Sequence, residues 1–250
     1  EHIEGGQFMR QVIKTLIVLP ENNTTMAPEI CALCPTLAPI PVARVKRPAR
    51  TLLLEDLPAY AEATLDAIES FAAEQFDLVI YGCTAAGVLG GPSGNARMVD
   101  RLRERTRATV VSTTGAMVEA LRGAGVLNTA VVTPYLQPVN DGLRDYLESS
   151  GIHVETLNSF FCKTTAELGR ITEDQVLELA RRTATARSKS LFIACSQLPT
   201  LNVVAQLRAK LEIPVWSSIQ ATAWAGAKAL TAQGFPVQFT DAADGKTIDD

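Results

Sequence analysis

Two stretches of the chain run apolar and then stop at a thiol. In FDLVIYGCTAAG (76–87) the run Leu78-Val79-Ile80-Tyr81 ends at Gly82, and Cys83 and the hydroxyl of Thr84 follow. In LFIACSQLPT (191–200) a second run ends at Cys195 and Ser196. An unbroken apolar run bounded by turn residues reads as a strand buried on both faces, and such strands belong to parallel sheets covered by helices. Open α/β sheets bind ligands beyond the carboxyl ends of their strands. Each run therefore delivers a cysteine to the edge where a ligand would lie.

The sequence downstream repeats as well. After Cys83 come a helical segment and ATVVSTTGAMVEAL (108–121); after Cys195 come LNVVAQLRAKL (201–211) and IPVWSSIQATAWAGAKAL (213–230). Cys83 lies 29 residues before Ser112, and Cys195 lies 22 before Ser217. This order reads as an internal duplication, and two such halves about a pseudo-two-fold axis set the thiols face to face across one cleft. The expected fold is α/β, with two pseudo-symmetric lobes, each a parallel sheet flanked by helices, and the active site between them. Residues 12–115 and 220–234 are expected to form the first lobe and 116–219 the second. Residues 1–11 read as a disordered or artificial terminus, with Met9 near the native start.

Along the chain, strands alternate with helices. Val12–Leu19 reads as the first strand, ending at Pro20, with PENNTTM as a polar loop. A short helix over APEICALC and an irregular proline-rich connection (35–48) holding one strand, IPVARV, come next. An amphipathic helix over 53–74 leads to the Cys83 strand. GGPSG (90–94) reads as a flexible lid or turn, since it lacks the Lys-Ser/Thr of a phosphate loop. Strands at 110–112, 127–133 and 152–157 alternate with helices at 114–124 and 139–149. Residues 160–170 read as a loop, and 172–185 as a helix opened by a Thr172–Gln175 capping box.

Composition narrows the function classes. A net charge of −4 with both signs interspersed and no arginine-rich run argues against nucleic acid. No apolar stretch reaches the roughly 18–20 residues of a membrane helix. Five cysteines, an odd number in a chain large enough to fold without disulfides, point to a reducing, cytoplasmic setting. EHIEGGQFMR has no hydrophobic centre and does not read as a secretory signal.

Cys83 and Cys195 are the candidate catalytic pair. A buried cysteine is often only a small hydrophobe. Both of these, however, sit at the polar end of an apolar run and precede a turn, where backbone N–H groups can lower a thiol pKa and hold an anion. A Cys-His hydrolase needs an imidazole base, and the two histidines, His2 and His153, have no context suggesting that role. Two thiols can divide the work, one as nucleophile or base and the other as acid, with no metal or organic cofactor. Cys31 and Cys34 form a lone CxxC, a weak zinc or redox signal, read as helix packing. Cys162, in a loop, is assigned no role. Tyr135 lies just past a strand end, where it packs or donates to a carboxylate.

These residues resemble the aspartate/glutamate racemase superfamily, and within it the maleate cis–trans isomerase and arylmalonate decarboxylase branch. The resemblance runs from about Val12 to Leu230. It rests on P-x-x-N-T-T at 20–25, Gly-Cys-Thr at 82–84, S-T-x-G-A at 112–116, T-P-Y at 133–135, E-L-G-R at 167–170, Cys195-Ser196 and the closing P-V-W-S-S…A-x-x-W. It implies that isomerases use two cysteines and the decarboxylases only the second. By that resemblance Cys83 adds to the alkene of a small cis-dicarboxylate such as maleate, and Cys195 supplies a proton. Asn23, Thr84, Tyr135 and Ser196 would hold the carboxylates. Thr165 stands where the isomerases place a carboxylate-binding asparagine. The resemblance also implies a homodimer or higher homo-oligomer. The reading is a cofactor-independent maleate isomerase. The alternatives are a two-cysteine racemase, a decarboxylase of a substituted malonate, and a non-catalytic carboxylate-binding protein.

Overall fold

Six consecutive residues, TLIVLP at Thr15–Pro20, are buried without alternation. A strand enclosed on both faces needs helices on both sides and neighbours along both edges. The computed structural model describes residues 12–240, and the terminus expected at 1–11 lies outside them.

The first half runs β1 (Thr15–Pro20), α1 (Met26–Leu33), β2 (Val42–Val45), α2 (Leu57–Glu69), β3 (Leu78–Tyr81), α3 (Thr84–Leu89), α4 (Gly91–Thr106), β4 (Thr109–Ser112) and α5 (Thr113–Gly123). The second runs β5 (Asn128–Thr133), α6 (Gln137–Ser149), β6 (His153–Ser159), α7 (Thr165–Leu168), α8 (Glu173–Thr183), β7 (Leu191–Ile193), α9 (Val203–Leu211), β8 (Val215–Ser217) and α10 (Ser218–Thr231). The two sheets have the orders β2-β1-β3-β4 and β6-β5-β7-β8, and every pairing is parallel. The second order is the first with four added to each strand number, so the repeat seen in the sequence is a repeat of topology. β3 and β7 are equivalent strands, and one reactive-looking thiol follows each.

The two halves exchange a helix face. Met117, Ala120 and Leu121 of α5 pack into the core of the second sheet. Ile219, Ala223, Ala227 and Leu230 of α10 pack with Ile17, Leu78 and Ile80 of the first. The two helices start alike: Ser112 and Ser217 end β4 and β8, and each hydroxyl caps the next helix by accepting from Gly115 N and Gln220 N, both at 3.1 Å.

Several sequence expectations shift. The first strand starts at Thr15 rather than Val12, and the helix expected over 53–74 is regular only from Leu57 to Glu69, with Pro58 in its first turn. GGPSG is neither lid nor open turn. Gly91 takes φ +64 to redirect the chain out of α3, and Pro92 then sits in the first turn of α4, where its fixed φ suits a helix and its missing N–H costs nothing. The loop expected over 160–170 contains the one-turn α7, capped by Thr164 accepting from Glu167 N. The Thr172–Gln175 capping box is present at the start of α8.

Gly82 is required by close approach. A Cβ there would lie 2.4 Å from Leu19 Cδ2 and 2.8 Å from Met26 Sδ. Gly82→Ala is expected to destabilise the fold by about 1–3 kcal/mol through overpacking and to push Cys83 out of register. Urea denaturation and activity measured together test this, with loss of both expected.

Candidate active site

The sequence places Cys83 and Cys195 at equivalent strand ends, and the fold brings both to the wall of one cavity. Cys83 is the N-cap residue of α3, with an extended backbone. Cys195 lies two residues beyond β7, where Gln197 N–H donates to its sulfur at 3.3 Å. The remaining sequence-predicted residues, Asn23, Thr84, Tyr135, Thr165 and Ser196, line the same cavity.

A hydrogen-bond chain fixes the two cysteine segments relative to each other. Ser196 Oγ donates to Gly82 O at 2.8 Å, which ties the residue after one thiol to the residue before the other. Asn23 Nδ2 donates to Ser196 O at 3.0 Å and Oγ at 3.1 Å. Asn23 Oδ1 in turn accepts from Thr25 N and Met26 N, both at 3.1 Å, at the start of α1. The amide thus uses its full capacity within the protein. In this arrangement Asn23 and Ser196 link the segments that carry the two thiols. Gln197, which the sequence reading did not single out, extends the link: Thr24 N donates to its Oε1 at 3.0 Å.

Tyr135 is held by its own backbone. Its carbonyl accepts from Asn140 Nδ2 at 2.9 Å and Ser159 Oγ at 2.6 Å, and its N–H donates to Thr133 Oγ1 at 3.2 Å. Its buried hydroxyl interacts with Cys195 and Thr84, and burial pushes its pKa well up, so it is a hydrogen-bond donor at neutral pH. Thr84 Oγ1 also lies 3.4 Å from Ser218 Oγ, at the start of α10.

Electrostatics at Cys195 differ from the sequence expectation. Backbone N–H groups were expected to lower its pKa. Burial outweighs the hydrogen bonds from Tyr135, Gln197 and Leu198, and the thiol is pushed up, so it keeps its proton at neutral pH. The donors remain aimed at the sulfur and would stabilise a transient thiolate there.

The other candidates separate clearly. His153 is exposed on β6, 3.1 Å from Glu148 Oε1 and away from the cavity. Cys34 is buried, pushed up to about 12, with its Sγ donating to Ala223 O at 3.8 Å, which is a packing role. Among the described residues no three His, Cys, Asp or Glu side chains cluster as a metal site, and no helix is long and apolar enough to cross a membrane. Cys162 was given no role, yet it lines the cavity, its thiol pushed up to about 11 mainly by burial. Arg47, Thr51, Leu52 and Leu168 also line it. Their signal in the sequence is faint, because they lie in connections whose path only the tertiary fold defines.

The cavity is small, about 30 Å³, room for two or three waters at roughly 10–15 Å³ each. Two segments from different halves meet beside it. Thr165 N–H donates to Ala49 O at 2.9 Å and Thr51 N–H to Lys163 O at 3.4 Å, around an antiparallel bridge between Arg50 and Thr164.

A duplicated pair of parallel sheets with a thiol at each matching strand end defines an α/β enzyme of the isomerase and decarboxylase group. The chain belongs to the arylmalonate decarboxylase family, which it matches over residues 54–238. It is 28% identical to a maleate isomerase of Nocardia farcinica over 219 residues, 83% of this chain and 86% of that protein. It is 24% identical to an arylmalonate decarboxylase of Bordetella bronchiseptica over 172 residues, 68% of this chain and 72% of that one. The Nocardia farcinica maleate cis–trans isomerase bound to TRIS superposes with a TM-score of 0.82 at 25% identity, over 95% of this chain and 97% of that one. A cysteine-to-serine mutant of that isomerase, solved with a covalently bound succinylcysteine intermediate, gives 0.81 at 25% identity, over 88% and 94%.

Proposed function

We propose that this enzyme isomerises a small cis-dicarboxylate, maleate to fumarate, through a covalent adduct on Cys83. The observation that carries this reading is the meeting of two thiols in one cavity, one of them held protonated by burial. The Nocardia farcinica relative with its succinylcysteine supports the same chemistry.

The Cys83 thiolate attacks one alkene carbon. The C–S bond forms, the π bond breaks, and its electron pair moves onto the neighbouring carbon and that carbon's carboxylate. Cys195 donates its proton to this carbon and becomes a thiolate, held by the N–H groups of Gln197 and Leu198 and the Tyr135 hydroxyl. The succinyl adduct has a single C–C bond and rotates. The Cys195 thiolate then takes the proton back, the C–S bond breaks, and the trans alkene leaves with Cys83 restored as thiolate. No cofactor enters this sequence, because addition itself removes the rotational barrier. Thr84, Tyr135 and Thr165 are assigned to the carboxylates; a homodimer is part of the proposal by family resemblance, and a cytoplasmic setting by the five unpaired cysteines.

Incubation with maleate in D₂O, followed by NMR, tests it: fumarate is the expected product. Loss of CO₂ from a substituted malonate without isomerisation would favour a decarboxylase, and deuterium at Cα of a chiral acid a racemase. The pH profile supplies a second test. Cys195 acts as the acid, and burial raises its pKa above the ordinary 9.0. Its protonated form therefore persists through neutral pH, and activity is expected to fall only as pH rises beyond 9. A rate already falling between pH 7 and 8 would contradict the assignment.

A further inference from the structure

We infer that Arg47 is the specificity-determining residue for the substrate's second carboxylate; this rests on the isomerase reading above. Three observations converge on it. Arg47 is the one charged side chain among the described residues lining the cavity. Its Nε is buried without a hydrogen-bond partner, and its Nη2 donates only to the Arg50 carbonyl at 3.3 Å. The nearby Asp56 does not neutralise it by direct contact, because Arg50 holds both Asp56 oxygens at 2.6 and 2.8 Å.

A guanidinium is always charged and presents N–H groups in a planar fork that matches a carboxylate. A buried N–H left unpaired is an unmet demand for an acceptor; Glu21 Oε1 accepts from the Arg47 backbone N–H at 3.3 Å, not from its Nε. An anion in the cavity would meet that demand. Thr165, across from this segment, has its N–H engaged with Ala49 O, so it offers a carboxylate one neutral hydroxyl and no charge. Asn22 lines the same cavity with its amide oxygen buried and unpartnered; turning that amide by 180° offers an N–H to the same anion. Tyr135 and Thr84 stand beside the thiols, so the two ends of a diacid find chemically different receptors, neutral at one end and cationic at the other.

The test compares Arg47→Met and Arg47→Lys with the unchanged enzyme on maleate and on its monoamide, which lacks one charge. Arg47→Met is expected to lower kcat/KM for maleate about 100-fold, mainly through KM, and to abolish the preference for the diacid. Arg47→Lys restores part of both. A preference for the diacid unchanged in Arg47→Met overturns the inference. Succinate binding by calorimetry separates the two readings. If the unchanged enzyme binds succinate but does not isomerise maleate, and Arg47→Met loses that binding, the receptor stands and the isomerase reading falls. If Arg47→Met binds succinate as tightly as the unchanged enzyme, the receptor falls whatever the activity. Melting temperatures of both variants check that they fold.

Discussion

Cys83→Ala is expected to lose isomerisation by at least about 10³-fold while remaining folded. The reaction depends on converting a C=C bond, which does not rotate, into a C–C bond, which does. Without a thiolate nothing in the cavity forms that intermediate, and hydrogen bonds to the carboxylates stabilise the starting alkene as well as the transition state. The structural cost is modest: Cys83 is a small buried residue, and loss of one sulfur destabilises by about 1 kcal/mol. Product NMR and thermal melting separate the two effects. Substantial isomerisation by a folded Cys83→Ala protein would remove the covalent route.

Cys195→Ser is expected to give a different failure, one visible by mass. Addition to Cys83 can still occur with a proton from water, but the serine hydroxyl is too weak an acid to deliver one and, once the adduct exists, too seldom ionised to take one back. The adduct then accumulates on Cys83, and intact-protein mass spectrometry should show the gain of one maleic acid, mapped to the peptide carrying Cys83. Turnover should fall by about 10²–10⁴-fold, the usual contribution of a positioned acid–base group. Full activity in this variant would exclude Cys195 from any catalytic role.

The two catalytic candidates were legible because their signal is local. An apolar run, a thiol and a hydroxyl lie within a few residues of each other, and the run occurs twice. The parallel, enclosed character of the sheets follows from the same pattern, since β3 and β7 are buried throughout and pair in parallel on both sides. Asn23 was legible as a member of the site but not in its part. Its side chain makes four hydrogen bonds within the protein, two of them to a residue 173 positions away. GGPSG misled because glycine clusters usually mark turns, whereas here one left-handed glycine joins two helices. Cys162 and Arg47 carry no local signal at all. One lies just past a strand end and the other in a proline-rich connection, and only the tertiary fold brings them to the cavity that the thiols line. The fate of the Cys195 proton was hidden for a related reason: burial depends on what lies above the strand end, which the strand's own sequence does not contain.

The bridge between segments 49–51 and 163–165 has a kinetic meaning. The bridge flanks the cavity that both thiols line, so parting it widens the way for a four-carbon diacid. Among the described residues, two main-chain hydrogen bonds span that seam, and opening of this extent falls on the microsecond-to-millisecond scale of loop motions. On the proposed mechanism, a closed seam keeps a half-turned adduct from bulk water through the addition–rotation–elimination cycle.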